Sequence, residues 1–151
     1  MNVKSGGRRG EVGLVTLMSQ LSKALNRRAS EQLLGMRLKP YMTLGYIREH
    51  PGATQQELES AMFMDANSVV LLLNELEAAG HSIRRRDPQD RRRHLVELTD
   101  SGRHALERAD KAREGLEDEV LGPLAPEERA ALRSLIQRVL DGLQQPAEAR
   151  V

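Results

Sequence analysis

Six arginines crowd one short stretch of this 151-residue chain: Arg84, Arg85 and Arg86 lie before Asp87-Pro88-Gln89-Asp90, and Arg91, Arg92 and Arg93 follow it. Arginine stays protonated at any working pH, so with Asp87 and Asp90 set against them four positive charges remain. The chemistry that suits such a cluster is neutralisation of a polyanion, because each phosphate paired with a cation releases counterions and strengthens binding. A chain whose formal net charge is only +1 has no general reason to gather that charge in one loop. The alternative is a solvated surface hairpin whose arginines are incidental.

The elements around the cluster decide how it is presented. Short β-capable runs flank Asp87 to Asp90, where Pro presets φ for the first corner of a tight turn and Asp favours its opening, so the sequence predicts a β-hairpin with a cationic tip. Upstream, Thr54-Gln55-Gln56-Glu57 has the form of a capping box and starts a short helix through about Met62. Asp65 can cap a longer helix that runs through Val69, Leu72, Leu73 and Leu76 to Gly80, where a helix C-terminal glycine belongs. A short helix, a connection of about three residues, a longer helix and a hairpin follow the winged helix–turn–helix order. The expected fold class is therefore mainly α with a small β-hairpin, a winged helix–turn–helix core with helices on either side.

Those flanking helices carry their own signals. Val12, Val15, Met18, Leu21 and Leu25 recur at three- and four-residue steps, predicting an amphipathic helix over about 11–30. Gly35 and Pro40 punctuate the chain. Pro40 suits the first turn of a helix to about His50, with Met42, Leu44, Tyr46 and Ile47 mostly inward and Pro51-Gly52 ending it. After the hairpin, Thr99 or Asp100 caps a long helix carrying Leu106, Ala109, Ala112, Leu116 and Val120, broken by Gly122-Pro123. Pro126-Glu127-Glu128 begins the last helix, whose apolar stripe is Leu132, Leu135, Ile136, Val139, Leu140 and Leu143. The tail from Gln144 to Val151 is small and polar and is expected to fray. The stripes are wider than one domain of this size needs, which predicts a homodimer held by these helices; the alternative is closure of all stripes into one monomeric core.

Composition excludes several classes. With one Phe, two Tyr and no Trp, the core must be Leu, Val, Ala and Met, which favours helix-on-helix packing. No Cys means no disulfide, thiolate metal site or cysteine redox chemistry. His50, His81, His94 and His104 are scattered, no nucleophile is spaced to a base, and no Gly-rich phosphate loop is present, so neither catalysis nor a cofactor nor a metal is expected. No apolar run approaches the ~20 residues needed to cross a bilayer. Residues 1–10 are basic without the apolar segment of a signal peptide, and a cytoplasmic protein with no membrane partner is the expectation. Charge is uneven: residues 1–28 sum to +5, while Asp100 onward sums to −3. That asymmetry suits a basic face for an anionic partner and a balanced opposite end.

From Thr54 to Gly102 the chain closely resembles the MarR family of winged helix–turn–helix transcriptional regulators. The resemblance is carried by Gln56-Glu57-Leu58, Leu76-Glu77-Ala78-Ala79-Gly80, Arg85-Arg86-Asp87-Pro88-Gln89-Asp90-Arg91-Arg92 and Leu98-Thr99-Asp100-Ser101-Gly102. The outer helices resemble the family in length and order. The resemblance implies one MarR-type domain over 1–151, with a DNA-binding lobe at about 38–99 and dimerisation helices at about 11–35 and 100–143. It implies a homodimer on a double-stranded, pseudo-palindromic operator, more often a repressor than an activator. A small phenolic, acidic or lipophilic effector would release the DNA from a pocket between the first two helices and the long helix after the wing. Arg37, Tyr41, Met42 and Tyr46 could supply aromatic walls and a cation there; ordinary core or surface roles are their alternative.

Residues near the start of a recognition helix face base edges, which brings forward Ala66, Asn67 and Ser68, with Val70, Leu71 and Asn74 on the same outward side. Asn67 suits adenine and Ser68 a phosphate or a base. Relatives commonly place polar or basic residues at the positions of Val70 and Leu71, so this chain departs from their pattern; apolar contact with thymine methyl groups, or readout through the wing and DNA shape, are two physical explanations. In the wing, Asp90 is expected to orient an arginine so that Arg91 or Arg92 is presented at the tip, while Arg85, Arg86 and Arg93 serve phosphates or solvent. A winged-helix protein–protein adaptor without specific DNA binding is the alternative function, favoured by Val70 and Leu71 and opposed by the arginines.

Overall fold

A computed structural model describes residues 11–33 and 36–144. The basic residues 1–10, the expected break at Gly35 and the tail 145–151 lie outside the described residues. Within the described residues, six helices and one hairpin follow in the expected order: α1 (Leu14–Gln32), α2 (Leu38–Glu49), α3 (Gln55–Met62), α4 (Ala66–Ala78), β1 (Ser82–Arg86), β2 (His94–Leu98), α5 (Asp100–Val120) and α6 (Pro126–Gln144). The protein is mainly α with a small antiparallel β-hairpin around a winged helix–turn–helix core.

Local chemistry accounts for most boundaries. Thr54 and Glu57 form the capping box, the Thr54 hydroxyl accepting from the Glu57 amide at 3.1 Å. Asp65 caps α4 by accepting from the Ser68 amide at 2.7 Å, and these hydrogen bonds hold its carboxyl below the usual carboxylate range. Between the two helices Phe63 takes the left-handed conformation, φ 52°, which makes the connection tight. Gly80, at φ 76°, turns the chain out of α4 while the His81 amide bonds back to the Leu76 carbonyl at 2.9 Å. Of the two candidate caps for α5, Thr99 holds the position, its hydroxyl accepting from the Gly102 amide at 2.9 Å. Helix α2 begins at Leu38, so Pro40 stands in its first turn, and Arg37 caps it without a side-chain bond.

The core lies where α2, α3, α4, β2 and α5 meet, built on Leu44, Ile47, Leu58, Leu73, Val96 and Leu106. All four expected inward residues of α4, namely Val69, Leu72, Leu73 and Leu76, are buried. In α2 the inward side is shifted: Tyr41, Thr43, Leu44 and Ile47 are buried, Tyr46 is partly buried, and Met42 is exposed. The C-terminal end of α1 joins the core through Ala29 and Leu33, but its N-terminal stripe, including Val15, Met18 and Leu21, is exposed. Helix α6 buries none of its residues.

The strands pair from Ser82–Leu98 to Arg86–His94. A third segment adds to the edge: Thr54 bridges Leu95, and the Val96 amide donates to the Ala53 carbonyl at 2.9 Å. The start of α5 presses against the turn after α4 so closely that a Cβ on Gly102 would lie 1.9 Å from the His81 carbonyl oxygen. That carbonyl also accepts the Thr99 amide at 3.1 Å, and the Thr99 hydroxyl donates to the Gly80 carbonyl at 2.6 Å. Only glycine fits at 102, which gives the Leu98-Thr99-Asp100-Ser101-Gly102 string a mechanical reason.

Candidate nucleic-acid interface

The hairpin tip is longer than the four-residue turn expected. The Asp87 amide donates to the Arg93 carbonyl at 3.0 Å, so the loop spans 87–93 and Arg91, Arg92 and Arg93 belong to the tip rather than to a strand. Aspartate side chains account for the extension by standing in for backbone acceptors. Asp87 accepts from the Gln89 amide at 2.9 Å, and Asp90 accepts from the Arg92 amide at 3.1 Å. Asp90 also faces two guanidinium groups, Arg92 Nε at 3.4 Å and Arg93 Nε at 3.6 Å. Both pairs are weak in geometry and open to solvent. Arg92 remains 93% exposed, a cation steered at its base and free at its end.

The other wing arginines divide by what they touch. Arg85 is exposed and pairs with Glu97 at 3.2 Å. Arg86 and Arg91 are exposed and make no ion pair among the described residues. Arg84 turns inward. Its Nε donates to Glu77 Oε1 at 2.7 Å and its Nη2 to Glu77 Oε2 at 3.0 Å, a forked pair with α4. Nη2 also donates to Asn74 Oδ1. The Arg84 hydrogen bonds hold the Glu77 carboxyl below its usual range, more than offsetting the opposing effect of burial. Neither counting arginines nor period-two alternation separates Arg84 from the rest, since Ser82, Arg84 and Arg86 share one face of β1; the contact with Glu77 and Asn74 of α4 does.

Helix α4 lies beside this wing. Ala66, Asn67, Leu71 and Asn74 are exposed on it, with Ser68 and Val70 partly so, and Leu71 is 61% exposed. Between α4 and the hairpin runs an open groove of about 600 Å³ lined by Gln55, Val70, Glu77, Arg84, Arg86 and His94. The groove places Arg84 and Arg86 of the hairpin beside Val70 and Glu77 of α4.

The four residues singled out for a ligand are spread apart. Arg37 pairs with Glu75 of α4 and borders a cavity of about 250 Å³ whose floor includes Leu33, Met36, Leu76 and Ala105. Tyr46 stacks on His50, ring centroids 3.9 Å apart, and lines a different, larger and open groove shared with α3 and α6. Met42 projects outward. Tyr41 is buried, and its hydroxyl donates to Asp110 of α5 at 2.6 Å. Arg48 donates to the other oxygen of Asp110 at 2.5 Å. Burial and the Asp110 carboxylate push the Tyr41 hydroxyl up to about 12. Burial alone would raise the Asp110 carboxyl, but hydrogen bonds from Arg48 and Tyr41 outweigh it and leave that group below its ordinary value. No motif or spacing in the chain signals this junction between α2 and α5.

This fold and surface define a winged-helix protein with a basic wing beside α4, whose outer face is largely exposed. A sequence model of the MarR family matches residues 34–93. The chain is 33% identical over 99 residues to a Thauera aromatica protein named as a transcriptional regulatory protein for the hcr operon, covering 66% of this chain and 60% of that one. It is 30% identical over 101 residues to the transcriptional repressor NicR of Pseudomonas putida, covering 67% and 64%. The chain thus spans less than two thirds of the length of these two relatives. Among solved structures it is similar to a mutant MarR from E. coli complexed with operator DNA, with 27% identity, a TM-score of 0.77, and 84% and 93% of the two chains covered. It is also similar to PcaV of Streptomyces coelicolor in complex with its natural ligand, with 28% identity, a TM-score of 0.75, and 87% and 97% covered. Over residues 34–93 the chain is thus similar to the MarR family, and its fold is that of the MarR structure compared above. No helix among the described residues is long and apolar enough to cross a membrane.

Proposed function

We propose that this chain acts as a sequence-specific DNA-binding transcriptional regulator, a homodimeric repressor of a pseudo-palindromic operator. Residues 38–99 serve as the DNA-binding lobe, and 11–35 with 100–143 as the dimerisation helices. The observation that carries the reading is the wing: three arginines stand in one aspartate-braced loop, next to a helix, α4, whose outer face is largely exposed. Ala66, Asn67, Ser68, Val70, Leu71 and Asn74 face the major groove. Arg91 and Arg92 reach the minor groove, and Arg85, Arg86 and Arg93 serve phosphates.

The dimer is supported by unburied stripes on two helices, Val15, Met18 and Leu21 on α1 and Leu135, Ile136 and Val139 on α6. Exposed apolar patches of this kind mark association surfaces. A small effector is supported by the 250 Å³ cavity beside Arg37, which lies below the ~300–1,000 Å³ of drug-sized pockets and suits a single-ring phenolic or acidic compound. Glu75 connects that cavity to α4, because Arg37 holds it.

The test is fluorescence anisotropy with the DNA flanking the gene, across a salt series, against a scrambled duplex. Preference for the flanking DNA with affinity falling steeply in salt supports the regulator. Equal or absent binding at low salt overturns it and favours a protein–protein adaptor, for which exposed Leu71 would be the contact.

A further inference from the structure

Asn74 sits seven residues after Asn67 and three after Leu71, so the three share the outward face of α4. An asparagine amide offers one acceptor oxygen and two donors on nitrogen, and reading adenine takes both kinds, the oxygen for N6 and the nitrogen for N7. Here one of the two lone pairs of the oxygen is already taken, by a cation that fixes which way the amide faces. Arg84 Nη2 donates to Asn74 Oδ1, and because a guanidinium has donors and no acceptor, the atom it meets must be the oxygen. The Arg84 side chain is only 22% exposed and is itself pinned by both oxygens of Glu77. Amide rotation would set Nδ2 against a fixed cation, so the orientation holds. What Asn74 turns outward is a pair of N–H donors.

We propose that Arg84 is a positioning residue that turns the amide donors of Asn74 toward the major groove, selecting guanine over adenine. Guanine presents two acceptors, O6 and N7, that two donors can satisfy. Adenine matches through N7 alone, and cytosine presents its N4 amine, a donor facing donors. This inference rests on the DNA-binding reading above and deepens it by naming the base class at one position of each half-site.

The experiment is selection of duplexes from a randomised pool by the full-length wild type and by three variants, each checked for its native circular dichroism spectrum. Asn74→Ala removes the guanine preference at one position per half-site and leaves the other positions ranked as before. Arg84→Met frees the Asn74 oxygen and moves that same position toward adenine, about tenfold in relative affinity, as expected for one bidentate base contact. Asn74→Asp keeps the partner Arg84, turns an acceptor outward, and moves the position to cytosine; it serves even where Arg84→Met fails to fold. A wild type that enriches a consensus from which Asn74→Ala and Asn74→Asp change nothing overturns this inference alone. So does an Arg84→Met protein, correctly folded, with the wild-type ranking. A wild type that enriches no sequence overturns the DNA-binding reading, and this inference with it.

Discussion

Helices α4 and α6 carry the same kind of sequence signal and meet opposite fates. Each has apolar residues at three- and four-residue steps along one side. On α4 the stripe is buried, with Leu73 at 0% and Leu72, the most open of the four, at 7% exposure. On α6 Leu132 is partly buried and the rest of the stripe is open, from Leu140 at 37% to Val139 at 59%. Periodicity tells which side of a helix is apolar, and it is silent on what covers that side. For α4 the cover is in the same chain: α3 and β1 pack against it, and its stripe joins one buried cluster with residues of α2, β2 and α5. For α6 nothing among the described residues buries it, and a second copy of the chain is the partner proposed.

The comparison breaks most sharply under truncation. Leu73→Ala opens a cavity in a closed core and should lower stability by roughly 2–5 kcal/mol, read from a denaturant midpoint that does not depend on protein concentration. Val139→Asp should leave the lobe folded and instead halve the mass found by sedimentation. If Val139→Asp remained a dimer, or Leu73→Ala cost nothing, the contrast between the two stripes would be wrong.

A second contrast lies inside the wing, between arginines that work inward and outward. Arg92→Ala should weaken operator binding by about 1–3 kcal/mol, with the thermal midpoint unmoved, because that side chain has only a long contact to Asp90 to lose. A shifted midpoint with unchanged affinity would reverse its assignment.

The junction of α2 and α5 is sharpened by acid. An unfolded aspartate titrates near ~3.9, and Asp110 is held lower in the folded chain. The stabilisation it contributes is therefore complete above about pH 4 and is lost as pH falls through the lower folded value. Asp110→Asn should flatten the acid limb of the stability curve while leaving its shape near neutrality. An unaltered acid limb would show that Tyr41 and Arg48 gain nothing from its charge.

The smallest effect is expected at Ser82, whose buried hydroxyl has no hydrogen-bond partner among the described residues. Ser82→Ala should be neutral or slightly stabilising, within about 1 kcal/mol, since no bond is broken. A clear loss of stability would mean that a buried water satisfies the hydroxyl.

Element order, caps and the inward stripe of α4 were legible in the chain because they depend on local rules: Thr54 and Glu57, Asp65, and Gly80 act within one turn of themselves. Of the site, the arginine cluster was legible and its division was not. Arg84 looks like its five neighbours until β1 is laid against α4, and Asn74 looks free until Arg84 arrives. The tip outran its expected turn because Asp87 and Asp90 use side chains where the turn rule counts backbone. Arg37, Tyr41, Met42 and Tyr46 scattered because neighbours on a helix point around its full circumference, and only contacts with α4 and α5 sort them.

Gly102 joins the wing to α5 by bringing two backbones together at the His81 carbonyl. With no side chain between them, that contact is a fulcrum of nearly zero height. Helix α5 has 21 residues and so extends about 30 Å from it. A tilt of about 5° at the fulcrum carries the far end roughly 2–3 Å sideways over a lever of that length. By the same lever, a displacement of the far end would reach the hairpin reduced in the inverse ratio.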